Sequence, residues 1–449
     1  MSDAPYTLVA ANDANLAIDD AIIPDLQAIE ADIAAGRLSQ AATALNALQQ
    51  THDGDARIYI AGWQLGTASG NFQAALQASE RAIALAALWP TTHYCAAQSL
   101  RQLSNVPSAT IAIENALLLE PTNLQYLEFA ITLANSVMDH TAAEKHLRAA
   151  FAQKPDILGI KTLIGNALRY QAKFDDAESW LNEAVAINPD DAEAHYSLGM
   201  IAYERDRVEL ARTHLADAVR LSPDNEIFLY THEVVNGRVP ARQPEALTRN
   251  LFEGYASQFD RHLLGVLKYR VPQLIADKIV EQFPSRNINV LDLGCGTGLL
   301  GVALGKVGGH FAGVDLSLAM LKEAEKQNVY ARLHHVNLLD ALASTAADDY
   351  EVVVAADVFT YVGALDKAIR DCFKVLKPGG WLFFSCESAP EEGADFVLSK
   401  NMRYAHAAAY VKRLLATDGF TTVTIDPIDL RVENDVAVRG YIVSAQKPK

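Results

Sequence analysis

Cysteine is scarce: Cys95, Cys295, Cys372 and Cys386 are the four in 449 residues. None forms a Cys-x-x-Cys pair or a metal-ligand spacing, which excludes a disulfide framework and a structural zinc, and no metal site is expected. Long apolar runs are missing too. Half of the chain is hydrophobic, yet no stretch approaches the roughly 18 uninterrupted apolar residues of a membrane span. The first residues (MSDAPYTLVAANDANLAIDD) carry acids where a secretory signal would carry bases, so a reducing cytoplasm is the expected location. Basic residues are few in the first half. Residues 1–240 hold 15 Lys and Arg against 30 Asp and Glu, and residues 241–449 hold 23 against 25. Nucleic acid and anionic membranes both require a basic face, so neither is an expected partner.

What is present begins with a period. From about residue 22 to 225 the chain is rich in Ala and Leu, with apolar residues at three- and four-residue steps. The pattern returns every 34 residues, with units starting at 22, 56, 90, 124, 158 and 192. Position twenty is then Ala41, Ala75, Ala109, Ala143, Ala177 and Ala211. Position twenty-seven is small in five units, and position thirty-two is Pro121, Pro155, Pro189 and Pro223 in the last four. A small residue suits a close helix crossing, and proline ends the second helix of each pair. These units resemble tetratricopeptide repeats, most clearly from the third to the sixth. The resemblance implies a superhelix with a concave groove. Its groove positions, among them Gln64, Tyr94, Gln98, Arg101 and Glu128, are amide, aromatic and mixed in sign. They suit an extended peptide, or another domain or a second copy of the chain; a protein partner and a homo-oligomer therefore both stay open.

A helical stretch around 227–235 caps the array, and residues 236–247 (NGRVPARQPEAL) read as a linker. The expected organisation is a repeat domain over 1–235, a linker over 236–247 and a second domain over 248–449. In that second domain, buried strands alternate with helices, the pattern of a parallel sheet covered on both faces.

The segment NVLDLGCGTGLLGVALGKVG (289–308) carries the chemistry: a short strand, a glycine turn and a helix. Gly294, Gly296 and Gly298 let the backbone turn sharply and approach a ligand. The next strand ends at Asp315, 17 residues after Gly298. A carboxylate there accepts hydrogen bonds from both hydroxyls of a ribose and repels a phosphorylated one. VLDLGCGTG resembles the first motif of the Rossmann-like methyltransferases, and 314–321, 334–342, 348–365 and 376–388 follow in that family's order. Residues 250–275 and 399–415 further resemble the methyltransferases that carry tetratricopeptide repeats.

The resemblance implies an all-α repeat superhelix followed by a doubly wound, seven-stranded α/β domain that binds S-adenosylmethionine. Implied cofactor contacts are Asp292, Gly294, Cys295, Gly296, Thr297, Gly298, Asp315 and Leu316. Asn337, where the family usually has Asp, Leu338 and Asp357 extend that set. Tyr255 is implied to close over the cofactor, with Phe259 and His262 on nearly the same helix face. On the acceptor side the candidates are His262, Tyr361, Arg403, Tyr404 and His406. Arg403 fixes an anionic group or pairs with Glu391 or Glu392. His406 is the expected general base, because histidine titrates near neutrality, with Asp357 and Glu387 behind it. The expected reaction is methyl transfer to O, N or S of an unidentified acceptor, a small molecule or a peptide or protein. Two rivals are a protein or peptide methyltransferase whose repeats hold the substrate, and a non-catalytic adaptor that retains cofactor binding.

Overall fold

A chain that turns back every few turns of helix needs a repeated device to do so, and the backbone shows it. The computed structural model describes residues 20–253, 269–390, 393–433 and 436–449. Two compact units emerge, 1–184 and 185–449. In the first, a 3-10 turn (Asp20–Ile22) leads into five helix pairs: α1 (Ile23–Ala34) and α2 (Leu38–His52), α3 (Ala56–Ala68) and α4 (Phe72–Leu85), α5 (Pro90–Gln102) and α6 (Val106–Leu119), α7 (Leu124–Ser136) and α8 (His140–Gln153), α9 (Ile160–Tyr170) and α10 (Phe174–Ile187). The in-register Ala41, Ala75, Ala109, Ala143 and Ala177 are all fully buried, as a close crossing requires. Between the helices of each pair stands one left-handed residue: Gly36, Gly70, Ser104, Met138 and Ala172, with φ between 55° and 75°. The side chains of Asn71, Asn105 and Asp139 then cap the helix that follows.

The second unit begins at Val185, in the last turn of α10, and takes in the last repeat. It contains α11 (Ala192–Glu204), α12 (Val208–Leu221), α13 (Glu226–Val235) and α14 (Glu245–Glu253), then the sheet domain. There the order is α15 (Val271–Gln282), β1 (Val290–Leu293), α16 (Leu299–Leu304), β2 (Phe311–Asp315), α17 (Leu318–Lys326), β3 (Arg332–His335), α18 (Leu338–Ser344), β4 (Tyr350–Ala355), α19 (Asp366–Val375) and β5 (Leu376–Ser388). A hairpin of β6 (Phe396–Leu398) and β7 (Tyr404–His406) precedes α20 (Ala408–Asp418), β8 (Val423–Glu433) and β9 (Val436–Gln446). Strands β3-β2-β1-β4-β5 are parallel; β9 is antiparallel to β5, and β8 pairs with β9. That makes the expected seven, and the short β6/β7 hairpin beside the end of β5 adds two more. Leu291, Val353 and Phe384 pack on one face with Ile369 and Leu415. Val290, Val352 and Phe383 pack on the other with Ile275 and Leu304. Both faces are thus covered by helices, which is the physical meaning of the doubly wound pattern.

Residues 236–247 are not a free linker. Gly363 and Ala364 both donate to Ala241 O at 2.9 Å, Arg242 bridges Val362, and Gln243 donates to Met402 O. A backbone that passes beside a sheet domain satisfies its polar groups there when water is excluded. Tyr230 of α13 reaches the Tyr404 hydroxyl at 3.3 Å, and Lys400 pairs with Asp206 at 2.6 Å. The last repeat and the sheet domain therefore form one compact unit.

Candidate functional site

Parallel strands end on the same side, so β1, β2 and β4 bring their C-terminal residues together. Asp292 lies in β1, Asp315 ends β2, and Asp357 stands two residues beyond β4. A cavity of about 750 Å³ opens at this edge. The glycine turn forms its floor. Gly294 (φ +66°) approaches so closely that a β-carbon would meet Val358 Cγ2 at 2.5 Å. Gly298 (φ +90°) starts α16, where a β-carbon would meet Tyr330 at 3.0 Å. Both positions need glycine for conformation and for space.

Asp315 is held by two backbone donors, Gly296 N at 2.9 Å and Ser317 N at 2.8 Å, one to each carboxylate oxygen. Burial raises its pKa, and these hydrogen bonds oppose the rise. One lone pair is spent on each oxygen, so the carboxylate is aimed and still able to accept from a diol. Asp292 is 1% exposed and accepts from the Tyr330 hydroxyl at 2.7 Å. Burial pushes its carboxyl up to about 7, against the Tyr330 hydrogen bond, which lowers it. Cys295, Gly296, Thr297, Leu316 and Leu338 line the same cavity as Gly294, Asp292 and Asp315; Gly298 shapes the turn from behind. Asn337 also lines it, but its Oδ1 caps α18 by accepting from Leu339 N at 2.8 Å. Its NH2 group is what it offers to a ligand.

On the other side of the cavity stand Asp357, Tyr361 and Arg403. Asp357 adopts a left-handed backbone (φ +58°), unusual for a non-glycine residue, and its N–H donates to Ser385 Oγ at 2.8 Å. Desolvation raises the Asp357 pKa, and the Arg431 guanidinium counters it. Arg403 pairs with Glu387 at 3.1 Å and with Glu433; Glu391 and Glu392, its expected partners, lie outside the described residues. Glu387 is 7% exposed and does not line the cavity. Tyr255, Phe259 and His262 also lie outside the described residues.

Two expected acceptor-side residues are elsewhere. His406 is fully buried in β7, its Nε2 2.9 Å from the carbonyls of Val362 and Gly363, and burial lowers its pKa to about 4. His406 lies behind Val362 and does not line the cavity, and its Nε2 is spent on backbone carbonyls, so it is not placed to take an acceptor's proton. Tyr404 is likewise fully buried, donating to Pro240 O at 2.9 Å. Its hydroxyl orders the chain between the last repeat and the sheet, and does not reach the cavity. Both residues followed β5 in sequence, but the β6/β7 hairpin turns them into the core.

Several lining residues carried no local signal: Arg242, Gln243 and Phe252 before the sheet domain, Tyr269, and Arg431 and Glu433 on β8. Their approach to the glycine turn is a product of the fold.

Comparison with known proteins agrees with this architecture. Residues 291–384 match the family model described as a methyltransferase domain, and residues 162–226 match that of a tetratricopeptide repeat. Among curated proteins, the chain is 32% identical to a ubiquinone biosynthesis O-methyltransferase of Hydrogenovibrio crunogenus, over 24% of this chain and 46% of the relative. It is 28% identical to the ubiquinone biosynthesis O-methyltransferase of Ralstonia nicotianae, over 40% of this chain and 85% of the relative. The chain spans about half the length of the first curated relatives it matches. Among solved structures, the 1,6-didemethyltoxoflavin-N1-methyltransferase of Burkholderia thailandensis, with S-adenosylhomocysteine bound, is 15% identical. That match covers 47% of this chain and 93% of the other, at a TM-score of 0.37.

Proposed function

We propose that this protein, a set of tetratricopeptide repeats joined to a methyltransferase domain, uses S-adenosylmethionine to methylate an oxygen or nitrogen of a small-molecule acceptor. The observation that carries the reading is one cavity whose floor is the Gly294–Gly298 turn and whose wall holds the aimed carboxylate of Asp315. The residues present fit the cofactor. Asp315 accepts from the ribose hydroxyls, the close backbone at Gly294 leaves room beside it, and Leu316 and Leu338 give apolar walls for a purine. Asn337 donates to a ring nitrogen. Asp292 faces the cationic part.

When bound, the cofactor supplies a methyl carbon on a positively charged sulfur, so displacement depends mainly on alignment and exclusion of water. With His406 removed from the cavity, Asp357 is the carboxylate best placed to receive the acceptor's proton. Arg431 holds it in position by two hydrogen bonds. In this reading the repeats serve contacts with a protein partner, another domain or a second copy. Calorimetric titration of the full chain tests the proposal: S-adenosylhomocysteine should bind at micromolar strength and NAD should not. NAD binding with no binding of S-adenosylhomocysteine would remove the methyltransferase reading.

A further inference from the structure

The acceptor end of the cavity is built from charged side chains that the sequence does not group. Along β8 the register shifts: Asp429 pairs with Arg439 and Arg431 with Val438, so Leu430 is an extra residue. As a result two consecutive side chains, Leu430 and Arg431, are both buried. Arg431 is 3% exposed and lines the cavity. Its Nη1 donates to both oxygens of Asp357 at 3.1 and 2.9 Å, its Nε to Glu433 at 2.7 Å, and its Nη2 to Glu387. Arg403 adds its pairs with Glu387 and Glu433. Two guanidiniums thus meet three carboxylates, and with every group ionised the half-buried cluster carries one net negative charge.

The direction of these bonds matters as much as the count. Each nitrogen of the Arg431 guanidinium is engaged with a carboxylate of the protein, so it is not a receptor for an anionic ligand. Asp357 leaves a fifth of its side chain exposed at the cavity. Beside it stand Tyr269 and Tyr361, the latter in edge contact with Phe252 at 5.4 Å.

We propose that this network selects acceptors whose reacting group is a neutral or cationic hydrogen-bond donor, a hydroxyl or an amine, and rejects those with an anion beside it. The inference rests on the methyltransferase reading and deepens it. A hydroxyl or ammonium donates to the Asp357 carboxylate, while the aromatic walls take the apolar body of the acceptor. A carboxylate or phosphate brought to the same place is desolvated against the Asp357 carboxylate, and every Arg431 nitrogen already holds a carboxylate of the protein.

Three probes of similar size test this on the full chain saturated with S-adenosylhomocysteine: benzylammonium, benzyl alcohol and benzoate, followed by ligand-observed NMR. Benzylammonium and benzyl alcohol should bind roughly tenfold or more tightly than benzoate. Asp357→Asn, which brings the cluster to neutrality, should narrow that gap, and Glu433→Gln should do the same should the first variant fold poorly. Equal or tighter binding of benzoate, no binding by any probe, or an unchanged gap in a folded variant overturns the inference. Loss of S-adenosylhomocysteine binding by the unmodified chain would instead overturn the reading beneath it.

Discussion

Asp292 and His406 are both buried titratable residues, and they shift in opposite senses with opposite consequences. Asp292 has its pKa raised from 3.8 to about 7, so the fold favours its protonated form. Between those values the native state holds more protons than the unfolded chain, and its stability contribution falls as pH rises toward 7. Asp292→Asn should therefore raise the Tm of the ligand-free protein at pH 8 and leave it nearly unchanged at pH 4. A cation arriving beside Asp292 favours the carboxylate, so cofactor binding near pH 6 should release a proton, seen as a dependence of the calorimetric enthalpy on buffer ionisation. Equal enthalpies in phosphate and Tris would sink that expectation. His406 runs the other way: with a native pKa of about 4 it stays neutral where the unfolded chain protonates, so its contribution is lost as pH falls from 6.5 toward 4. His406→Ala should cost about 2–4 kcal/mol in a denaturant titration, from the void and two unmet carbonyls. Affinity for S-adenosylhomocysteine should change little. A stable variant would contradict the buried role. Asp315 was legible in the sequence because strand, glycine turn and next strand tip are local neighbours. Arg431 was not, because its partner Asp357 lies 74 positions earlier and its inward aim depends on a bulge.

At the scale of elements, the repeat register was legible in alanine and proline, which act through size and missing N–H groups. The turns inside each pair were not. Glycine announces a left-handed residue at Gly36 and Gly70, whereas Ser104, Met138 and Ala172 hold the same conformation without any signal. Tertiary packing imposes the turn and these residues bear its strain. Ala172 is exposed, so replacing it loses no packing. Ala172→Gly should stabilise the protein by about 0.5–1 kcal/mol, read as a higher denaturation midpoint. A lower midpoint would mean that the turn is relaxed in the native chain. The β6/β7 hairpin escaped the sequence for a related reason. Its strands have three residues each, too short for alternation to appear, and they redirect Tyr404 and His406 from the cavity to the core.

In the whole molecule, the sequence pattern changes near residue 236 but the compact unit begins at Val185. Pattern reports what each segment can form alone, and compactness reports what it packs against. A fragment of residues 185–449 should therefore fold and bind S-adenosylhomocysteine like the full chain. A fragment starting at Ala246 loses Gln243, Ala241 and the Tyr230 contact and should unfold at lower temperature. Equal melting of the two fragments would show that the last repeat adds nothing to the sheet domain. The cavity over the Gly294–Gly298 turn is the proposed seat of S-adenosylmethionine. A crystal structure of the full chain grown with S-adenosylhomocysteine tests it most directly. Density is expected in that cavity, with both ribose hydroxyls on the Asp315 carboxylate and the sulfur facing the Asp357 end. Ligand bound elsewhere, or a ribose that leaves Asp315 without contact, would contradict it.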